Sequence, residues 1–166
     1  MSRSAVAPLI RALVPKDRAR VETMIKATGL FWRWEIPIAL EVFDGATGAK
    51  GRVDPDYESA GVEADGRLGG WAAWGPTPGQ PGAFDLYWIV VDPARQGQGI
   101  GSLLLAEMDR RIAGRAKQLF VETSGRDDYA PTRAFYERHG YRMLDRLPDH
   151  FAPGDDLVRF IKEFAA

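Results

Sequence analysis

The chain contains no cysteine and only two histidines, His139 and His150. Disulfides, thiolate metal ligands and a cysteine nucleophile are therefore excluded, and a histidine-rich metal cluster is impossible. No apolar run approaches the roughly 20 residues that a membrane-spanning helix needs. The first seven residues lack the apolar core of a signal peptide. The sequence thus predicts a cytoplasmic protein with no metal and no membrane partner.

The net charge is also close to zero, because the chain has 22 basic and 23 acidic residues, and its pI is near 6.1. Nonspecific nucleic-acid binding draws its affinity from basic surface, so a nucleic-acid partner is not expected. The 166 residues are 45% hydrophobic and 27% charged, as in ordinary globular proteins. This length predicts one domain over residues 1–166.

Hydrophobic patterning predicts the order strand, two helices, three strands, helix, strand, helix, two strands. Such an order is typical of an α/β (α+β) fold, with a mixed, mostly antiparallel twisted sheet of about six or seven strands and helices on both faces. The predicted strands are residues 9–14, 57–64, 67–74, 84–91, 118–123, 141–144 and 157–164, and residues 147–156 are predicted as a loop because they contain two prolines and a glycine.

The segment from Val91 to Ser102 ends the longest apolar strand and begins a helix. Three glycines within five residues, Gly97, Gly99 and Gly101, allow the backbone to approach a ligand closely. Free N–H groups at the positive end of a helix dipole favour an anion, and phosphate is the usual one. A P-loop is disfavoured because no lysine follows Gly101, and Ser102 replaces the third glycine of a dinucleotide-binding motif.

The segment reads Gln96-x-x-Gly99-x-Gly101 after Val-x-Pro, and it resembles the acetyl-CoA pyrophosphate loop of the GCN5-related N-acetyltransferase (GNAT) superfamily. The order of elements resembles that fold over nearly the whole chain. The resemblance implies acetyl-CoA as co-substrate, with Val91 offering backbone groups to the acetyl carbonyl and the pantetheine. It implies that the pyrophosphate is lined, mostly through backbone N–H groups, by Gln96, Gly97, Gly99, Ile100, Gly101 and Ser102.

A second segment, Ala134–Tyr141, resembles the family's alanine-aromatic-tyrosine pattern that precedes a glycine and an aromatic residue. Tyr136 falls at the tyrosine that protonates the departing CoA thiolate, and a thiolate is basic enough to take a proton from a nearby phenol. The alternative is that Tyr136 only packs on a short helix. Tyr129 occupies a position where the family often has an asparagine that contacts CoA, so the resemblance assigns Tyr129 to cofactor binding by stacking or hydrogen bonding.

A protonated amine is not a nucleophile, so the reaction needs a base. The family resemblance implies that Glu122 is the first candidate, because some relatives place a glutamate on this strand, which lines the gap that admits the pantetheine arm. In this sequence Glu122 lies on the face opposite Leu119 and Val121. Asp85, at the start of the central strand, is the second. A structural ion pair at Glu122 and a solvated strand end at Asp85 remain alternatives.

Family resemblance also predicts that residues 31–34 and 147–156 contact the acceptor. Trp32 and Trp34 are expected either to form an aromatic wall or to cover the core. Three aspartates in the second segment are expected either to attract a cationic amine or to be solvated.

Three functions remain open at this point. The first is acetyl transfer from acetyl-CoA to a primary amine of a small molecule, a peptide N-terminus or a lysine. Transfer would be direct within a ternary complex, because no cysteine is present to carry the acetyl group. The second is a non-catalytic acyl-CoA-binding sensor or regulatory module, and the third is another kind of nucleotide-phosphate-binding domain. Similar proteins often pair edge strands, so a homodimer is a further expectation.

Overall fold

The computed structural model describes residues 6–165, and within that range the chain forms seven strands and four α-helices. Most of the segment on which the signal-peptide expectation rests lies outside the described residues. The elements are β1 (Leu9–Arg11), α1 (Arg18–Thr28), α2 (Glu35–Thr47), β2 (Glu58–Ala64), β3 (Arg67–Pro76), β4 (Ala83–Val91), α3 (Ile100–Ile112), β5 (Gln118–Ser124), α4 (Ala130–Arg138), β6 (Arg142–Ala152) and β7 (Asp155–Glu163). The predicted order of elements is confirmed.

The seven strands form one sheet in the order β1-β2-β3-β4-β5-β7-β6. β4 and β5 run parallel, with Ala83–Leu86 in register with Gln118–Val121. The pairs β1–β2, β2–β3, β5–β7 and β6–β7 are antiparallel. The predicted mixed, mostly antiparallel sheet is therefore confirmed. Among the described residues, no helix combines the length and the apolar character needed to cross a membrane.

The described chain divides into two compact units, and the expectation of a single domain stays a prediction. The first unit contains the described residues up to Trp74 together with Trp88–Arg111. The second contains Gly75–Tyr87 and the described residues from Ile112 onward.

In the first unit, helices cover both faces of the sheet. The core between α1, α2 and one face includes the fully buried Met24, Phe43 and Trp71, with the Phe43 and Trp71 rings 6.2 Å apart. The adjacent Gly70 points to the opposite face. A Cβ atom at Gly70 would lie 2.5 Å from Ile100 Cγ2, so glycine lets α3 approach the strand closely. This packing fixes the beginning of α3 and hence the position of the loop that precedes it.

In the second unit, β5 lies between the start of β4 and β7, and β7 pairs with β6. Alternation along β5 buries Leu119 and Val121, as predicted. α4 packs through Tyr136, whose ring lies 5.8 Å from the ring of Phe160 on β7.

The predicted loop over residues 147–156 is wrong. β6 continues to Ala152, and Pro153-Gly154 forms a two-residue turn into β7. Pro148 is tolerated because β6 is the last strand of the sheet, where a missing N–H does not break an inner ladder. Asp149 has a left-handed φ of 53°, and its Oδ1 accepts a hydrogen bond from Gly154 N at 2.7 Å. The pairing of β6 with β7 is irregular here, with a register shift between Leu147 and Ala152.

Candidate active site

The glycine-rich loop, defined as Gln96–Ser102, begins after a short 3₁₀ turn at Pro93–Arg95 in the first unit. Asp92 starts this turn, and its side chain accepts a hydrogen bond from Ala94 N at 2.9 Å. The Arg95 side chain forms an ion pair with Asp65 at 2.5 Å. These contacts fix the turn that leads into the loop, although the residues of the loop itself are mostly exposed.

Both Gly97 and Gly99 adopt a left-handed φ of 79°, a conformation that disfavours other residue types. A Cβ atom at either position would meet no other atom within 4 Å. Packing within the first unit therefore does not explain why side chains are absent there. Backbone conformation, and open access to the loop's amides, are what these two glycines provide.

The amides at the start of α3 are available by helix geometry. The bond from Leu103 N to Gly99 O, at 3.0 Å, is the first of the i to i−4 type in α3. The N–H groups of Ile100 and Gly101 precede it, and groups at these first helical positions have no such partner within the helix. The Ile100 side chain is buried against Gly69 and Gly70, so only its backbone faces a ligand. Val91, at the end of β4, is partly exposed.

Tyr136 lies in the second unit, on α4, and only 4% of it is exposed. Its ring forms an edge-to-face contact with Tyr141 at 5.5 Å and packs on Phe160. Burial, and secondly the charge of an ionised Tyr129, raise the pKa of Tyr136 well above its ordinary value of 10.0. The phenol is consequently protonated at neutral pH, as a general acid must be before it acts.

Tyr129 lies at the beginning of α4 and is also buried. The guanidinium of Arg126 lies 5.2 Å from the centre of the Tyr129 ring. Tyr129 immediately precedes α4, the helix that carries Tyr136. The second unit thus brings together the predicted acid and one predicted cofactor-binding residue.

Asp85 lies near the start of β4 and is half-buried. Thr77 Oγ1 donates a hydrogen bond to Asp85 Oδ2 at 2.8 Å. Burial raises the pKa of Asp85 above its ordinary value of 3.8, and the Thr77 hydrogen bond partly opposes that shift. A carboxylate with a raised pKa is a better proton acceptor, which is a property of a general base.

Glu122 has a different environment, because its side chain is exposed. It lies opposite Arg159 in the β5–β7 register, and Arg159 Nε donates to Asp145 Oδ1 at 2.7 Å. Asp85 is in register with Phe120, two residues before Glu122, so both acids lie on the same face of the sheet. Ideal strand geometry separates their Cα atoms by about 8 Å.

The two segments predicted to contact the acetyl acceptor, residues 31–34 and 147–156, differ in which side chains they expose. Trp32 and Trp34 are 39% and 54% exposed, whereas Phe31 packs on Trp88 at 5.3 Å. In the second segment, residues 147–156, all three aspartates already have hydrogen-bond or ion-pair partners. Asp155 is buried and accepts a hydrogen bond from Ser124, Asp156 pairs with Arg146 at 2.7 Å, and Asp149 accepts from Gly154 N. These contacts do not support the expectation that the hairpin attracts a cationic amine.

The sequence analysis did not identify two residues that contact site residues. Thr77 donates a hydrogen bond to Asp85, and Arg20 donates one to Asp92. Thr77 lies in a proline- and glycine-rich loop, and no pattern marks it. Asp92 before Pro93 is a recognisable capping signal, although its arginine partner is not. Among the described residues, no group of three or more histidine, aspartate or glutamate side chains is arranged to hold a metal ion.

Comparison with known families identifies the chain. The sequence profile of the family described as "Acetyltransferase (GNAT) domain" matches residues 55–143, which is just over half of the 166 residues. The chain belongs to the GNAT acetyltransferase family. The matched residues include the glycine-rich loop, Asp85, Glu122 and Tyr136, so the GNAT match covers both segments that carry the proposed chemistry.

A solved structure from Desulfovibrio desulfuricans, described as a GNAT-family acetyltransferase, is 38% identical with a TM-score of 0.86. It covers 96% of this chain and 100% of that one. Mycothiol acetyltransferase of Clavibacter michiganensis is 37% identical over 92 residues, 54% of this chain and 28% of that protein. S-(2-succino)cysteine N-acetyltransferase of Bacillus subtilis is 33% identical over 85 residues, 48% of this chain and 52% of that protein. The matched segments thus span about a quarter and about half of these two relatives.

Proposed function

We propose that this GNAT protein transfers the acetyl group of acetyl-CoA to a primary amine, directly and within a ternary complex. The observation that carries the proposal is the glycine-rich loop at the start of α3. Gly97 and Gly99 leave the loop free of side chains at left-handed positions, and the amides of Ile100 and Gly101 begin the helix. A diphosphate needs many donors, and this backbone supplies them.

Two properties of the loop support acetyl-CoA as its ligand. A Cβ atom at Gly97 or Gly99 would project into open space, so the surface of the loop is open to a ligand. The positive end of the α3 dipole favours an anion there. Gln96 and Ser102 are exposed at either end of the loop and supply side-chain polar groups.

The side chains of the second unit supply acid–base chemistry. Bound acetyl-CoA contributes an activated acetyl thioester. We assign Asp85 as the general base, because burial raises its pKa. It accepts the proton that the substrate's ammonium group must lose before the neutral amine attacks the acetyl carbonyl. Tyr136, kept protonated by its burial, gives its proton to the sulfur as the C–S bond breaks. Glu122 is exposed opposite an arginine, so we assign it a secondary, electrostatic role.

For the acceptor we propose a small molecule with a primary amine. One partial relative is named for mycothiol and the other for a cysteine derivative, and both are small compounds. The exposed Trp32 and Trp34 offer apolar surface for such a molecule in the first unit. Peptide N-termini and lysine side chains remain in the test panel as competing acceptors.

Calorimetric titration with acetyl-CoA tests the carrying observation. We expect one acetyl-CoA to bind per chain, and Gly99→Ala to weaken binding at least about tenfold because the methyl group blocks the loop's amides. Gly114→Ala is the matched control. Gly114 also has a left-handed φ, of 83°, and an added Cβ there would meet no atom within 4 Å.

Because both substitutions carry a similar backbone strain of about 1–2 kcal/mol, any difference in affinity reports on the loop. Gly114→Ala is expected to lower the free energy of unfolding without changing affinity for acetyl-CoA. If the wild-type protein produced no heat with millimolar acetyl-CoA, or if Gly99→Ala bound as tightly as the wild type, the loop would not be the CoA site.

A further inference from the structure

Arg20 lies in the first turn of α1 and contacts Asp92, the residue that begins the Pro93–Arg95 turn before the glycine-rich loop. Its Nε donates to Leu68 O at 3.0 Å, and its Nη2 donates to the Asp92 carboxylate. The two side chains are 18% and 14% exposed, so this ion pair is largely shielded from water. One guanidinium therefore joins α1, β3 and the end of β4 within the first unit.

Four polar groups of Asp92 form hydrogen bonds. One carboxylate oxygen accepts from Arg20, and Oδ1 accepts from Ala94 N at 2.9 Å. Its N–H donates to Gly69 O at 2.8 Å, and its carbonyl accepts from Arg95 N at 2.7 Å. The chain direction into the Pro93–Arg95 turn, and from there into the loop, is consequently set at Asp92.

The charge of Asp92 depends on these contacts. Burial alone would raise the pKa of this carboxyl, but the hydrogen bonds from Ala94 N–H and Arg20 outweigh it and hold the pKa below its ordinary value of 3.8. A shielded carboxylate that loses its cation has a strong tendency to turn toward water. Loss of Arg20 would therefore free the Asp92 side chain from the turn that it caps.

We propose that Arg20 is a positioning residue for acetyl-CoA, which fixes Asp92 and thereby presets the loop Gln96–Ser102 in its diphosphate-binding conformation. This inference rests on the proposed function. Backbone amides bind an anion only when their φ and ψ angles direct them toward it. A loop that is ordered before binding avoids the entropic cost of being ordered by the ligand.

Arg20→Gln tests the inference, with Arg18→Gln as the matched control. Arg18 lies two residues earlier on α1, and its Nε donates to Asp44 Oδ1 at 2.8 Å, where Asp44 is buried. Both variants therefore break an ion pair between α1 and a shielded aspartate. Only Arg20 contacts Asp92 before the loop, so the two variants separate loop positioning from general stabilisation.

Three quantities are measured for the wild type and both variants: the Kd for CoA by calorimetry, the free energy of unfolding, and amide hydrogen exchange of the ligand-free protein over residues 94–103. We expect Arg20→Gln to raise the Kd about tenfold and to speed exchange within that segment. We expect Arg18→Gln to lower stability while leaving the Kd and the exchange of that segment as in the wild type.

Asp92→Asn breaks the same ion pair from the other side, so it tests the inference even if Arg20→Gln folds poorly. Asparagine retains an oxygen that accepts from Ala94 N but loses the charge that attracts Arg20. We expect Asp92→Asn to weaken CoA binding to a similar degree. The double variant should bind no more weakly than either single variant, because both remove the same interaction.

The inference would be overturned if Arg20→Gln bound CoA within about twofold of the wild type, or if Arg18→Gln weakened binding equally. Additive losses in the double variant would also overturn it. Absence of CoA binding by the wild type would instead refute the proposed function. Even then, unchanged exchange at residues 94–103 in Arg20→Gln would independently show that Arg20 does not order the loop.

Discussion

Two acidic residues on one face of the sheet differ in what surrounds their carboxyl groups. Asp85 is half-buried beside Thr77, and its pKa is raised by burial. Glu122 is exposed and lies opposite Arg159. Since the base of the proposed reaction must accept a proton near neutral pH, the environment of Asp85 suits that role better. The sequence favoured Glu122 because burial cannot be seen in it.

The pH dependence of kcat/KM tests the choice of base. Activity should fall on the acidic side as Asp85 becomes protonated. Thr77→Val removes a hydrogen bond that stabilises the carboxylate, so the pKa of Asp85 rises further and the acidic limb moves to higher pH by about half to one unit. The profile is recorded with the best amine found in an acceptor screen.

Asp85→Asn and Glu122→Gln are the matched comparison for that profile. Asp85→Asn should lower kcat/KM by about a hundredfold or more and remove the limb, whereas Glu122→Gln should retain it. A limb that persists in Asp85→Asn and disappears in Glu122→Gln would assign the base to Glu122 instead.

Side-chain partners distant along the chain were beyond prediction from the sequence. Arg20 and Asp92 are 72 residues apart, and Thr77 and Asp85 are separated by 8 residues through an irregular loop. The glycine-rich loop and the segment around Tyr136 were recognisable because each is contiguous. Their backbone requirements are local, so they leave a readable spacing of glycines and aromatic residues.

The α3 helix connects the loop to the first unit through a charged cluster as well as through Ile100. Glu107 is buried and accepts hydrogen bonds from Arg110 at 2.7 Å and from Arg111 at 2.8 Å. Arg111 also donates to Ser59 O on β2 and lies over the Trp74 ring at 5.5 Å. The arginine thus ties α3 to the sheet, and Glu107 holds the arginine in place.

The pKa of Glu107 is lowered from 4.5 to about 2, chiefly by the hydrogen bond from Arg110 and also by Arg111. A lowered folded-state pKa means that this group stabilises the fold above about pH 4.5 and loses that effect as the pH falls toward about 2. Glu107→Gln should therefore lower the free energy of unfolding at pH 7 by about 1–2 kcal/mol. Urea denaturation at several pH values measures it.

Glu22→Gln is the control for a surface pair, because Glu22 bonds Lys26 on the exposed side of α1. Its substitution should change the unfolding free energy less than Glu107→Gln does. A difference between wild type and Glu107→Gln that stayed constant from pH 7 to pH 2 would contradict the role given to the Glu107 charge.

Helices and inner strands were predictable because their apolar periodicity matches the side that they bury. β5 alternates buried Leu119 and Val121 with less buried neighbours, and α3 places Ile100, Leu104 and Met108 inward. The length of β6 was not predictable. Pro148 and Pro153-Gly154 indicate a loop locally, and only the position of β6 at the end of the sheet makes a proline acceptable.

At the scale of the whole molecule, composition limits the chemistry. The chain has no cysteine, so an acetyl-cysteine intermediate is excluded and direct transfer to the amine is the simplest proposed route. Each unit contributes a different function to the proposal. The first supplies the diphosphate loop held by Arg20 and Asp92, and the second supplies Asp85 and Tyr136.

The most direct measurement is release of the CoA thiol from acetyl-CoA in the presence of a panel of small primary amines, amino acids, polyamines and short peptides, with the acetylated product identified by mass. The wild type should acetylate at least one small amine. Tyr136→Phe should retain acetyl-CoA affinity within about twofold while turnover falls about a hundredfold or more.

Tyr141→Phe is the control, because it removes a second buried phenol that contacts the Tyr136 ring. Its turnover should stay close to that of the wild type. Thiol release no faster than in protein-free buffer across the whole panel, or full turnover by Tyr136→Phe, would contradict the proposed acetyl transfer with Tyr136 as its acid.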